Sequence, residues 1–382
     1  MHIAMIAPEQ IPVPPLGGGS VEICMLAIAE RLAGGHRVTL ISRRHPRYPR
    51  ISRHGNLTIV RVAGRKPATY IASAARYLQE HPADWIQIDN RPRYVPFIRN
   101  RLGATPVSLF LHSLTYVSRP MIVPLLASSC MASADLIVVN SMSLGARLQE
   151  RFPQFAEVIR KVHLGVDLDR FAPPTPQQKT KLQEAYGVRG RFVVAFAGRL
   201  IPRKGIPVLL RAFRQVKLVV PSARLLVAGG AQQRGYKTRL VRLARKLRLG
   251  PGVRFVGVVP HGRMHRVYRA ADCFVCPSQK HEAFGLVNVE AMACGIPCVA
   301  SDNGGIREIV VHDRNGCLIE EYAKPDRFAA TLVRLATDRQ WREQLGAQAR
   351  EDAAALFDWQ QTADRLAALY ESHLAQRMTQ AT

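Results

Sequence analysis

A chain of 382 residues that is 47% hydrophobic is too long for one ordinary core and too apolar to be disordered, so two globular domains are expected. Lys+Arg 54 against Asp+Glu 28 leaves a formal charge of +26, which implies an anionic partner: nucleic acid, an anionic membrane, or phosphate-bearing small molecules. No stretch reads as a membrane span, because the longest candidate, MIVPLLASSCMASADLIVVN, is interrupted by Pro124 and Asp135. The opening MHIAMIAPEQ lacks the basic start of a signal peptide, so a cytoplasmic protein with reduced cysteines is expected.

Taken in chain order, short apolar runs alternate with helical patterns. HIAMIAP (2–8), RVTLISR (37–43), LTIVRV (57–62), WIQID (85–89), VSLFLH (107–112) and LIVVN (136–140) are the predicted strands of the first half. FVVAFAG (192–198), ARLLVAGG (223–230), VRFVGVV (253–259), CFVCPS (273–278) and PCVAS (297–301) are those of the second. Apolar strands separated by helices imply parallel sheets covered on both faces. The pattern occurs twice, which predicts two doubly wound α/β domains facing across a cleft where the carboxyl ends of both sheets meet. The run DLDRFAPPTPQQ separates them, since Pro173, Pro174 and Pro176 continue neither a sheet nor a helix interior. The expected domains are 1–168 and 169–355. Residues 356–382 read as a C-terminal helix that packs back on the first domain, with Trp359, Ala363, Leu366, Leu369 and Tyr370 on a helical period.

Candidate chemistry follows the strand ends. Gly17, Gly18 and Gly19 precede a helix that begins near Ser20, and such a run is either a flexible turn or an anion nest. It is not G-x-G-x-x-G, and no G-x-x-x-x-G-K-[ST] occurs, so nicotinamide and P-loop readings lose support. His112 lies just past a strand end and needs partners to be more than structural. Arg199, Arg203 and Lys204 follow the first strand of the second half. Arg199 and Lys204 form either a diphosphate clamp, one a fork and one a point charge, or a surface cluster. In KHEAFGLVNVEAMACG, Glu282 and Glu290 would point about 80° apart on one helix. Glu282 is therefore expected on a loop and Glu290 in the helix that follows, both reaching one cleft.

Two patterns approach the spacing of metal sites. Asp167 and Asp169 mimic a D-x-D site, but they adjoin the proline linker. Cys273, Cys276, Cys294 and Cys298 approach zinc-ribbon spacing, yet residues three apart on a strand face opposite ways. The cysteines read as small buried hydrophobes, and no metal is expected.

Together GGGSVE, LFLH, VVNS, HLGVD, FAGRLIPRKG, LLVAGG, VRFVGVVP, CPSQKHEAFGLVNVEAMACGIPCVAS, GGIREIV and NGCLIE resemble the retaining glycosyltransferases of family 4, with the GT-B fold. The resemblance covers nearly the whole chain and is most specific from Arg199 to Gly316. The opening APEQIPVPPLGGGSVE is also similar to bacterial spore-coat and cell-surface polysaccharide transferases. The resemblance implies a metal-independent, retaining transfer of a sugar from a nucleotide diphosphate donor, foremost a UDP-sugar, to a polysaccharide or lipid-linked acceptor, with no cofactor. It implies that Glu290 accepts hydrogen bonds from the ribose and that Glu282 lies beside the donor sugar. Backbone N–H groups around Phe284, Gly285 and Leu286 would hold phosphate or sugar hydroxyls, and Arg199 and Lys204 would neutralise the leaving diphosphate. Gly18 and Gly19 match glycines that approach the diphosphate, and His112 matches a histidine that contacts the donor sugar. Leu164 stands where the family often has Asn, and Arg203 where it often has Glu.

The excess charge has a location. No Asp or Glu occurs between Glu184 and Asp272, and RGYKTRLVRLARKLRLG within that span reads as a helix with Leu240, Leu243 and Leu247 on one face. Its basic face is either solvated or meets anionic lipid at the inner face of the membrane. A second basic patch, SRRHPRYPRISRHG, follows a first-domain strand and could meet a lipid diphosphate or an acidic glycan. Rival functions are a nucleic-acid-binding protein, which lacks the usual stacking platforms, and a catalytically silent sugar-binding protein on the same fold.

Overall fold

A computed structural model describes residues 1–381. It divides into two compact units, residues 1–165 with the helix Trp359–Ala381, and residues 166–358. The first unit carries an eight-stranded sheet: β1 (His2–Ile6), β2 (Arg37–Arg43), β3 (Ile51–His54), β4 (Leu57–Val62), β5 (Trp85–Asp89), β6 (Val107–Leu111), β7 (Leu136–Val139) and β8 (Ile159–Lys161). Their order is β3-β4-β2-β1-β5-β6-β7-β8. The pairing is parallel except for β3, which runs antiparallel to β4 at the edge. This edge strand was not expected, because Ile51–His54 lacks an apolar face and lies almost wholly in solvent. The tight turn at Gly55–Asn56 folds this basic patch back onto β4 instead of leaving it as a loop.

The second unit carries six parallel strands: β9 (Val193–Ala197), β10 (Arg224–Ala228), β11 (Val253–Gly257), β12 (Cys273–Cys276), β13 (Cys298–Ser301) and β14 (Gly316–Ile319). Their order is β11-β10-β9-β12-β13-β14. Phe196, Leu209, Phe213, Val227 and Phe328 belong to its buried core. Each sheet reverses its winding once, between β1 and β5 in the first and between β9 and β12 in the second, and ligands in doubly wound folds bind beyond the carboxyl ends of such strands.

The unit boundaries fall at 165/166 and 358/359, a few residues from the expected 168 and 355. The shift has a local cause. Val166 N–H donates to Phe357 O at 2.7 Å, and Val166 bridges Asp358, which ties both passages of the chain to the second unit. Phe171 is fully buried beside Tyr268 and His261, so the stretch ahead of the prolines belongs to that core. All seven cysteines are buried. Cys273 and Cys276 lie on β12, and no described group of three His, Cys, Asp or Glu side chains gathers in a way that could hold a metal ion.

Candidate active site

In the second unit, both loops at the β9/β12 reversal carry predicted site residues. After β9 the chain passes Arg199, turns through Pro202–Lys204 and enters the helix Ile206–Val219 at Gly205. Gly205 has φ +70°, and a Cβ there would lie 1.8 Å from Pro277 O in the loop after β12. Only glycine lets the two loops come this close. Lys204 Nζ thereby bonds Glu282 Oε2, and Ser278 Oγ donates to the same oxygen at 3.0 Å. Burial pushes the Glu282 carboxyl up, but Lys204 and then Arg203 outweigh it and hold it below the ordinary value. The loop is pinned from the far side by Gly305 N–H, which donates to Glu282 O at 2.8 Å.

Glu282 sits on the loop and Glu290 lies within the helix Leu286–Ala293. The two carboxylates have separate partners. Glu290 is buried, with Oε1 2.9 Å from His261 Nε2 and Oε2 accepting from Tyr268 OH at 2.7 Å. Burial and the neighbouring carboxylate push the Tyr268 phenol well above its usual range, so it stays a donor. The sequence reading missed both partners. Their signal was the spacing: His261 and Tyr268 are seven residues apart on the helix His261–Ala270 and therefore share a face. Gly285 caps the helix Leu286–Ala293, and Phe284 is buried against Phe357. Arg199 and Lys204 reach different partners: Arg199 Nη1 donates to Gln232 Oε1 at 3.2 Å, whereas Lys204 is committed to Glu282.

In the first unit, Gly19 caps the helix Ser20–Leu32. A Cβ at Gly19, whose φ is +136°, would come within 2.6 Å of Glu22 Oε2. Burial pushes the Glu22 carboxyl above its ordinary range. His112 follows β6, and its Nε2 lies 2.8 Å from Asp89 Oδ1 at the end of β5. The ring stacks on Phe110, with centroids 4.5 Å apart, and the His112 backbone N–H donates to Asn90 Oδ1 at 2.9 Å. Beside this pair, the buried Arg91 and Tyr94 both donate to Glu9. These partners too were outside the sequence reading.

Comparison with known proteins gives the arrangement a family. The profile "Glycosyltransferase Family 4" matches residues 17–170, and "Glycosyl transferases group 1" matches residues 178–352. The chain belongs to the family 4 glycosyltransferases. It is similar to the putative glycosyltransferase YtcC of Bacillus subtilis, 28% identical across all of this chain and 94% of that protein. It is likewise 28% identical to spore coat protein SA of the same organism, over 98% of this chain and all of the other. Among solved structures it resembles a sucrose-phosphate synthase from Thermosynechococcus elongatus, with a TM-score of 0.83, 26% identity, and 98% and 99% of the two chains covered. The fold of this glycosyltransferase is GT-B, two Rossmann-like units each built on a mainly parallel sheet. Among the described residues, no helix is long and apolar enough to cross a membrane.

Proposed function

We propose that this glycosyltransferase moves a sugar from a UDP-sugar to a lipid-linked or polysaccharide acceptor of the cell envelope, retaining the anomeric configuration and using no metal. The observation that carries this reading is the Lys204–Glu282–Ser278 cluster at the β9/β12 reversal. It puts a fixed cation where ligands of such sheets bind. In the reaction, the bond from the anomeric carbon to the diphosphate oxygen breaks, and the diphosphate takes the electron pair. A bond to the acceptor oxygen forms, and the acceptor hydroxyl passes its proton to the departing diphosphate oxygen. Lys204 and Arg199 stabilise the charge gained by the leaving diphosphate. Glu290 accepts from the ribose hydroxyls. Glu282 borders the donor sugar, and the N–H groups about Phe284, Gly285 and Leu286 bind its hydroxyls or phosphate. His112 contacts the donor sugar, and Gly18 and Gly19 admit the diphosphate. Proton NMR of the transferred sugar, made in excess EDTA, tests the reading. It predicts a retained anomer and undiminished turnover. An inverted product, or activity lost to EDTA and restored by manganese, contradicts it.

The acceptor side is proposed to meet an anionic membrane through the first unit. Met121, Val123, Leu125 and Leu126 are all exposed, Leu125 by 83%. No acid occurs between Asp89 and Asp135, while Arg93, Arg101 and Arg119 are exposed in that span. Apolar side chains among arginines suit a headgroup boundary, where each cation contributes roughly 1 kcal/mol. The basic helix Tyr236–Lys246 is less suited. Leu240 is buried, Leu243 packs on the core, and no large apolar side chain of that helix is exposed. Sedimentation with phosphatidylglycerol vesicles should fall sharply in Leu125→Asp and only slightly in the Arg242→Glu/Arg245→Glu double variant. Equal binding by Leu125→Asp and wild type would refute this surface.

A further inference from the structure

A buried polar series crosses the core of the first unit. The strand β5, WIQID, places Trp85, Gln87 and Asp89 on one face, since alternate residues of a strand point the same way. That face packs on the C-terminal helix Trp359–Ala381: Trp85 stacks on Tyr370 with ring centroids 4.4 Å apart. Polar side chains on such a face are costly unless every donor and acceptor is matched. Here they are matched in series. Trp85 Nε1–H donates to Ser108 Oγ at 2.9 Å, and Ser108, the cross-strand neighbour of Gln87, donates to Tyr370 OH at 3.4 Å. Tyr370 OH donates to Gln87 Oε1 at 2.7 Å, and Gln87 Nε2 donates to Asp89 Oδ2 at 2.7 Å. The other carboxylate oxygen, Asp89 Oδ1, faces His112 Nε2 at 2.8 Å.

The chain has a direction. Gln87 turns its NH2 toward Asp89, so its carbonyl faces Tyr370 and receives that hydroxyl's proton. Burial pushes the Tyr370 phenol far above its usual range, which keeps it a donor. Every donor thus points toward Asp89, and Asp89 in turn requires a proton on Nε2 of His112. Trp85, Gln87, Asp89, Ser108 and Tyr370 are all fully buried, so water does not compete for these groups. His112 itself exposes only 7% of its side chain, with Phe110 against one face of the ring.

We propose that Asp89 is a positioning residue that fixes the tautomer and ring orientation of His112, and that Tyr370 of the C-terminal helix is the far end of the same device, acting through Gln87. It leaves Nδ1 as the ring nitrogen available to a ligand. The inference rests on His112 contacting the donor sugar. It assigns the C-terminal helix a part in the transfer reaction beyond packing.

The test combines ring-15N histidine NMR with kinetics on the full chain. Wild type should show His112 as the Nε2–H tautomer with a slowly exchanging proton. Asp89→Asn should lose that fixed tautomer and drop kcat by about 10–100-fold, the scale found when the partner orienting a metal-bound histidine is removed, with KM little changed. Tyr370→Phe keeps the stack on Trp85 and removes only the hydroxyl. It should weaken the protection of the Nε2 proton and cost about fivefold in kcat, the worth of one neutral hydrogen bond. Wild-type kcat and an unchanged His112 tautomer in both folded variants would overturn the proposal. If Asp89→Asn does not fold, Tyr370→Phe decides alone. Should His112→Ala retain full turnover while the tautomer still depends on Asp89, the donor-contact role of His112 is what fails, and the chain is structural only.

Discussion

The two units share one architecture but hold their candidate site residues in different ways. In the second unit the partners lie close in sequence or on adjoining strand-end loops: Ser278 and Glu282 share one loop, and Lys204 meets them from the neighbouring one. In the first unit, His112 adjoins a buried series that includes Tyr370, 283 residues from Gln87 along the chain. A short-range site reads as a motif. A long-range one reads as a polar residue out of place in an apolar strand.

The largest effect expected from this contrast concerns the cations of the second unit. Lys204→Ala and Arg199→Ala should each reduce turnover by about 10²–10³, as for other charged transition-state contacts. They should differ in stability. Lys204→Ala strands the Glu282 carboxylate, whose side chain is only 18% exposed, and should lower Tm clearly. Arg199 is exposed, and its loss should leave Tm nearly unchanged. Equal Tm losses, measured by calorimetry, would show that the Lys204–Glu282 pair does not hold the loop.

A smaller effect separates one carboxylate in each unit by pH. Glu282 is held below its ordinary value, so its contribution to stability is present above the unfolded value of about 4.3 and is lost as pH falls through the folded one. Glu22 is raised, so its contribution is complete below about 4.3 and is lost as pH rises through its folded value. Glu22→Gln should therefore stabilise the protein at neutral pH, by about 1 kcal/mol, and the gain should vanish in acid. Glu282→Gln should do the reverse, destabilising at neutral pH and becoming silent in acid. Urea melts of both variants from pH 4 to 8 measure this, and parallel curves would remove the distinction.

How much was legible in the sequence follows the same divide. Eleven of the parallel strands were readable because buried strands are continuous apolar runs bounded by turns, whereas the short edge strands β8 and β14 were not expected. The edge strand Ile51–His54 was not, since its residues face solvent and only pairing with β4 defines it. The placement of Glu282 on a loop and Glu290 on a helix followed from periodicity alone. Their partners did not, because Tyr268 reads as a core aromatic until its hydroxyl is seen to donate to Glu290. Gln87 and Asp89 were in plain view within WIQID but were read as part of an apolar strand, and nothing local ties them to Tyr370.

The proposed function requires the second unit to bind a nucleotide-sugar through Glu290 and the Lys204–Glu282 cluster. Thermal unfolding of wild type and Glu290→Gln across a panel of UDP-, ADP- and GDP-sugars measures this most directly, because a ligand of the folded state stabilises it by about 2.7 kcal/mol at one hundred times Kd. The account predicts that a UDP-sugar raises the wild-type Tm in proportion to the logarithm of its concentration, and that the rise largely disappears in Glu290→Gln. No shift with any nucleotide-sugar at millimolar concentration, together with salt-sensitive binding of a short RNA, would contradict it.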